Sequence, residues 1–161
     1  MTALTSTDIK ILAELQKEGS LSNVALAERI GMSPSPCLRR VRQLEASGLI
    51  RGYAALLDGP KLGLGLTAYV EVKVPQIPGE EIVARFKQAV LREPSITGCF
   101  VTAGQFDFLL RIVVADIDAY STLAQKVLLR LPGVQDIRTS FVLEAVKDTT
   151  VLPIAQAQAP R

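Results

Sequence analysis

Four arginines, Arg39, Arg40, Arg42 and Arg51, crowd the stretch between Ser33 and Tyr53, and only Glu45 opposes them. Guanidinium groups at that density suit phosphate oxygens and the acceptor edge of guanine. At about 100° per residue, Arg39, Arg42, Gln43 and Ser35 fall on one side of a helix, with Arg40 on the flank. Cys37, Val41 and Leu44 share the other side, and Leu38 lies at its edge. Ser33 suits an N-cap there, and Pro34 suits the first turn, where a missing N–H costs nothing. Upstream, Ser22 can cap a helix running to about Ile30, Gly31 supplies the positive φ of a sharp turn, and Gly48 sits where a helix commonly ends. A short capped helix, a glycine turn and a basic amphipathic helix make a helix-turn-helix. Charge alone would also allow a solvated helical hairpin with ordinary surface arginines; the turn chemistry and the one-sided arginines favour DNA binding.

A second stretch with chemical potential is Thr102-Ala103-Gly104-Gln105-Phe106-Asp107. Its plainest reading is a hairpin turn, with Gly104 at positive φ and Asp107 bonding its neighbours' amides. Its functional reading is a loop whose amides and carboxylate hold the polar groups of a small zwitterion such as an amino acid.

Other chemistries lack their parts. The 161 residues contain no histidine or tryptophan and only two cysteines, Cys37 and Cys99, so no His-based triad, imidazole metal site or disulfide framework is expected. Cys37 reads as a small buried hydrophobe. Glu80-Glu81 is explained by the dipole of a helix first turn, and Gly63-Leu64-Gly65 precedes a strand instead of a nucleotide-binding helix. The expectation is a non-enzyme with neither metal nor cofactor. Net charge is +2 and 48% of the residues are hydrophobic, which fits a core-forming chain with a local basic patch. Without a signal-like or membrane-spanning run, a soluble protein of a reducing cytoplasm is expected, with no membrane partner.

The elements that must position these stretches follow from periodicity. Thr7 to Glu18 reads as a first helix, capped by Ser6 or Thr7 and ended by Gly19. Ile50 to Leu57 reads as a linking strand and Asp58-Gly59-Pro60 as a turn. Thr67 to Val74 alternates strictly, with Ala68, Val70, Val72 and Val74 on one face. A helix follows over Glu80 to Arg92, after a break at Pro75 to Pro78 and before Pro94. Strands are expected at Ile96–Ala103 and Phe108–Ala115, then a helix capped by Asp116, a stop at Pro132-Gly133, and a long strand from Val134 to Lys147. The fold class is α+β: a helix-turn-helix domain with its linking strand (1–58), a linker (59–65), a ferredoxin-like βαββαβ domain (66–148) and a tail (149–161), loose from Pro153. Apolar Leu109, Val113, Val142 and Val146 on the open sheet face predict a covering second sheet, hence a dimer.

With these features placed, the chain resembles the leucine-responsive regulatory protein (Lrp/AsnC, or feast/famine) family of bacterial and archaeal transcription regulators. The resemblance rests on Asp8-Ile9-Lys10-Ile11-Leu12, Leu21-Ser22-Asn23-Val24, Ser33-Pro34-Ser35-Pro36-Cys37-Leu38-Arg39-Arg40-Val41, Leu44-Glu45, Gly48-Leu49-Ile50 and Gly52-Tyr53. Gly104-Gln105-Phe106-Asp107, Leu131-Pro132-Gly133-Val134 and Ser140-Phe141-Val142-Leu143 extend it, so that it runs from about residue 5 to about 152. It implies an N-terminal winged-helix-like DNA reader and a C-terminal effector-sensing and assembly domain. Homodimers joining into octamers or larger rings are implied too, with an amino-acid effector bound at Val101, Thr102, Ala103, Gly104, Gln105, Phe106 and Asp107. Ile117, Ser140, Phe141 and Val142 are associated with the effector response. The implied role is nucleoid-associated, sequence-specific control of amino-acid metabolism; an architectural DNA-wrapping protein with little sequence preference is the rival.

On this reading Ser35, Arg39, Arg42 and Gln43 face the major groove. Arg40, Arg51 and the amides near Ser22 and Ser33 hold phosphates, and Asn23 and Pro36 complete the DNA-facing set. A two-fold dimer predicts a pseudo-palindromic site.

Overall fold

The computed structural model describes residues 4–75 and 81–154. The chain divides into two compact units, one holding residues up to Leu56 together with the chain from Lys147 onward, the other Leu57–Val146.

The first unit is built on three helices: α1 (Ser6–Lys17), α2 (Asn23–Ile30) and α3 (Pro34–Ala46). Helix α1 starts slightly earlier than its apolar pattern predicts. Thr5, not Ser6 or Thr7, is the N-cap, because Asp8 stands three residues on and closes a capping box with it. Ser22 caps α2 as expected, accepting from the Ala25 amide, and Gly31 takes φ 70° at its end. A side chain there would strain the turn that swings the chain into α3. Ser33 occupies the N-cap position of α3 without a side-chain cap bond, and Pro34 fills the first turn. Ile11, Leu26, Ala27, Cys37 and Leu44 form the buried centre, with Val41, Ile50 and others packed around it. Leu38 is not among them; it is 37% exposed.

Residues 51–57 do not form the expected strand. A strand needs a neighbour to take its backbone bonds, and none runs alongside among the described residues. Tyr53, Leu56 and Leu57 stand exposed there.

The second unit contains β1 (Leu66–Lys73), α4 (Ile82–Val90), β2 (Ile96–Val101), β3 (Phe108–Val114), α5 (Ile117–Lys126) and β4 (Asp136–Phe141). All pairings are antiparallel in the order β2-β3-β1-β4, the split βαβ arrangement the element order predicts. The period-2 pattern sorts the strands: Ala68, Val70, Val72 and Val74 join Phe108, Leu110, Ile112 and Val114 beneath Phe86, Tyr120 and Leu123 of the helices. Gly133, at φ 76°, also lies where a Cβ would come within 2.8 Å of Ile82, so Pro132-Gly133 is both a stop and a tight packing point.

Strand β4 is much shorter than the expected Val134–Lys147. Its partner β1 begins at Leu66, and the last contact is the Val142 amide donating to Thr67 O; beyond it no strand among the described residues offers a partner. Val142 and Val146 therefore lie past the sheet. The open face is formed instead by residues such as Tyr69, Leu109, Val113 and Phe100. Glu81 takes the N-cap of α4, while Glu80 and the stretch from Gln76 to Pro78 lie outside the described residues.

Candidate functional site

Helix α3 carries the exposed arginine face. Its 3.6-residue period turns Cys37 and Leu44 into the core and leaves Ser35, Pro36, Arg39, Arg42 and Gln43 exposed. The sole carboxylate of α3, Glu45, accepts a hydrogen bond from the Tyr53 hydroxyl at 3.0 Å. Ser22 and Ser33, at the starts of α2 and α3, and Arg51 beyond the end of α3 are exposed too.

Arg40 is differently placed. Its Nε donates to Asp8 Oδ1 at 2.6 Å and its Nη2 to Asp8 Oδ2 at 2.9 Å and Thr5 Oγ1 at 3.0 Å. Asp8 is only 4% exposed. Its burial works against the charged form. The bonds from Arg40, from the Thr5 amide and hydroxyl, and the Arg40 charge outweigh that and hold the carboxyl below its ordinary range. Arg40 thus joins α3 to the start of α1, and its Nη1 donates to Gln43 Oε1 at 3.4 Å. Asn23 is turned inward: its Nδ2 donates to Pro34 O at 2.8 Å, and its buried Oδ1 has no partner among the described residues.

The Thr102–Asp107 turn joins β2 to β3. The Thr102 amide donates to Asp107 O at 3.0 Å and the Asp107 amide to Val72 O at 3.0 Å. The Asp107 carboxylate accepts from the Val74 amide at 3.0 Å, and Lys73 Nζ, 3.6 Å away, donates to Gln105 O at 2.9 Å. As expected, Asp107 bonds a main-chain amide, but that amide belongs to the end of β1. Phe106 is buried, with the Arg138 guanidinium 5.2 Å from its ring centre. Gly104 stands at φ 151°. The amides of Ala103, Gly104, Gln105 and Phe106 donate to no acceptor among the described residues.

The other effector-associated positions are not brought to this turn. Ser140 pairs with Tyr69 and Phe141 with Ala68, near the start of β1, whereas Val101 and the turn adjoin its far end through Phe108 and Val72. Ile117 opens α5 just after β3, beside that same starting end, since Val114 pairs with Leu66. The two sets are separated by about 13 Å of strand, four residues at ~3.3 Å each.

Residues 67–152 match the family profile described as Lrp/AsnC ligand binding domain, and residues 4–51 match winged helix-turn-helix DNA-binding. The chain is 44% identical over 151 residues to the leucine-responsive regulatory protein of Escherichia coli K12, covering 94% of this chain and 92% of that one. The Klebsiella pneumoniae protein of the same name is likewise 44% identical over 94% and 92%. Among solved structures, a Neisseria meningitidis transcriptional regulator in complex with L-Met is 44% identical, with a TM-score of 0.90 over 94% of this chain and 97% of that one. An AsnC family regulator from Agrobacterium tumefaciens is 33% identical, with a TM-score of 0.89 over 94% and 98%. The chain belongs to the Lrp/AsnC family. It is a DNA-binding transcription regulator with a ligand-binding domain, not an enzyme.

Two features of this Lrp/AsnC chain are not evident from local sequence. The Asp8–Arg40 pair joins residues 32 apart, and only the crossing of α1 and α3 brings them together. Leu152, just before the stretch expected to be loose, is tied to α1, while residues 155–161 lie outside the described residues. Gln16 of α1 donates through Nε2 to Leu152 O at 3.0 Å and accepts from the Leu152 amide at 2.8 Å, copying one rung of a strand ladder. The Asp8 part had a signal, since Thr5-x-x-Asp8 fits a capping box; nothing local marks the Gln16–Leu152 pair. No helix among the described residues is long and apolar enough to cross a membrane.

Proposed function

We propose that this regulator controls genes of amino-acid metabolism at specific operators, in response to an amino acid bound in the 67–152 domain. The outward face of α3 carries the DNA half: Ser35, Arg39, Arg42 and Gln43 lie exposed together, and the one carboxylate of the helix is engaged by Tyr53. These residues meet base edges, while Ser22, Ser33 and Arg51, with Pro36 close by, meet the backbone. Arg40 and Asn23 act as braces in this scheme, because their donors are already engaged by acceptors within the domain.

Support for an amino-acid effector comes from the Neisseria meningitidis relative solved with L-Met. The unpartnered amides of residues 103–106 suit a carboxylate, and Asp107 suits an ammonium group. A single chain keeps the turn apart from Ile117 and Ser140–Val142, so a site using both sets draws on more than one copy. The open sheet face, with Tyr69 38% and Phe100 56% exposed, offers the surface for a homodimer from which larger rings are built.

A thermal-shift screen of the twenty amino acids tests the sensing half, and a raised midpoint with one or a few of them is expected. Asp107→Asn leaves an acceptor for the Val74 amide but removes the charge. It should lose the calorimetric amino-acid binding signal and keep operator affinity; unchanged binding would overturn the pocket assignment. Binding to random and selected duplexes tests the DNA half. Discrimination of about 10³ or more supports a specific regulator, whereas steep salt dependence without discrimination favours architectural wrapping.

A further inference from the structure

Leu38 is an apolar side chain in a basic setting. It lies four residues before Arg42 and three after Ser35, so all three are neighbours on the surface of α3. It is 37% exposed and is not one of the side chains that form the buried centre around Ile11, Leu26, Cys37 and Leu44. With Ser35, Arg39, Arg42, Gln43 and Ala46 it lines an open hollow of about 370 Å³ that contains no carboxylate. An exposed leucine by itself is ordinary. This one forms, with Ala46, the apolar part of a hollow otherwise edged by two guanidinium groups, an amide and a hydroxyl. That charge pattern calls for a polyanion as occupant, and the apolar group must then face something apolar on it.

Among the base edges of the major groove, the C5-methyl of thymine is the largest apolar group; the cytosine C5–H is smaller, and the C–H groups of the sugars line the backbone and carry no sequence information. We propose that Leu38 is a base-reading residue and that its ligand is a thymine methyl, one or two base steps from the pair addressed by Arg42. This rests on the reading of α3 as the recognition helix. It adds an apolar determinant to a face otherwise read through hydrogen bonds. Leucine closing over a methyl removes both from water, and withdrawing one methyl corresponds to about a four-fold change in affinity.

The test uses the full chain and a duplex chosen by selection from random sequences. Each thymine is replaced in turn by deoxyuridine, which deletes the methyl and keeps every base-pairing and groove-edge polar group. The wild-type protein should lose roughly three- to five-fold at one thymine per half-site. Leu38→Ala should bind the parent duplex weaker by about the same factor and become indifferent to deoxyuridine at that position. Arg42→Ala should bind more weakly yet retain the deoxyuridine effect. The thermal midpoint of Leu38→Ala should stay within a few degrees of wild type, because Leu38 is not part of the buried centre. The proposal is overturned if Leu38→Ala and wild type show the same deoxyuridine profile, or if Leu38→Ala melts several degrees lower. Failure to select any preferred duplex would overturn the operator reading itself, and this inference with it. A preferred duplex insensitive to every deoxyuridine would remove the inference alone.

Discussion

The two units of this chain solve the same packing problem with different means. In the sheet unit a continuous layer of buried side chains, from Ala68 and Val70 through Phe86, Leu110 and Ile112 to Leu128, separates strands from helices. Among the described residues, the helical unit has a core of five buried side chains, Ile11, Leu26, Ala27, Cys37 and Leu44. It supplements them with polar joints: the Thr5–Asp8–Arg40 cluster, the Asn23 bond to Pro34 and the Gln16 bonds to Leu152. Small helical domains bury too little apolar surface to orient each helix by packing alone. Directional bonds fix what area leaves loose. Arg40, on the flank of α3, fixes that helix against α1 in this way.

That contrast can be broken by substitution, and the largest effect should come from the sheet unit. Phe108, 2% exposed and with its ring 4.6 Å from that of Phe86, should cost about 3–5 kcal/mol when replaced by alanine. Denaturant unfolding should show the loss, and the helical unit should retain its own transition.

Next comes the polar joint. Asp8→Asn should destabilise the helical unit by about 2 kcal/mol, in the range of hydrogen bonds to charged groups. Because the folded carboxyl titrates below its ordinary value, its contribution is fully present above about pH 4 and is lost as pH falls through the lowered folded value. An acid-unfolding series should therefore show a limb in wild type that Asp8→Asn flattens. Loss of Arg40 sharpens the same point. If it is a brace, Arg40→Ala lowers the melting temperature and weakens DNA binding with little change in salt slope. A phosphate contact would instead reduce that slope by about one.

Arg42→Ala marks the reading face. It should cost about 1–3 kcal/mol in operator binding, relax preference at one base pair and leave the melting temperature unchanged. Gel-shift titration against matched and mismatched duplexes measures this. The smallest effect belongs to Gln16→Ala, about 1 kcal/mol from two exposed bonds. Hydrogen exchange should accelerate at the Leu152 amide while the amides of β1 stay protected.

The sequence made the periodic parts readable. The α2–α3 turn, the four strands of the sheet, the Asp116 cap and the inward rows of β1 and α5 depend on rules spanning a few residues, so they appear in linear order. Both ends of the chain's extended segments were over-read for one reason. Ile50–Leu57 and the stretch beyond Phe141 carry strand-like apolar residues, but a strand exists only where another offers its backbone. Among the described residues no partner lies beside the first, and β1 ends before the second.

The candidate sites divide the same way. Which arginines face outward followed from helical period alone, because an α-helix fixes direction locally. Whether an outward or flanking group was free could not follow. Flanking Arg40 is engaged because α1 brings Asp8 to its side, and Leu38 reads as core edge until the packing leaves it partly in solvent. The turn at 102–107 and the pair Ser140–Phe141, grouped by the family resemblance, lie toward opposite ends of one sheet, because strand register sets their separation. Residue type and period thus determined the reader helix, the split βαβ order and the glycine turn. Tertiary structure decided which charges are engaged, where the strands stop and which surfaces remain open, because hydrogen-bond partners and burial depend on residues far apart in the chain.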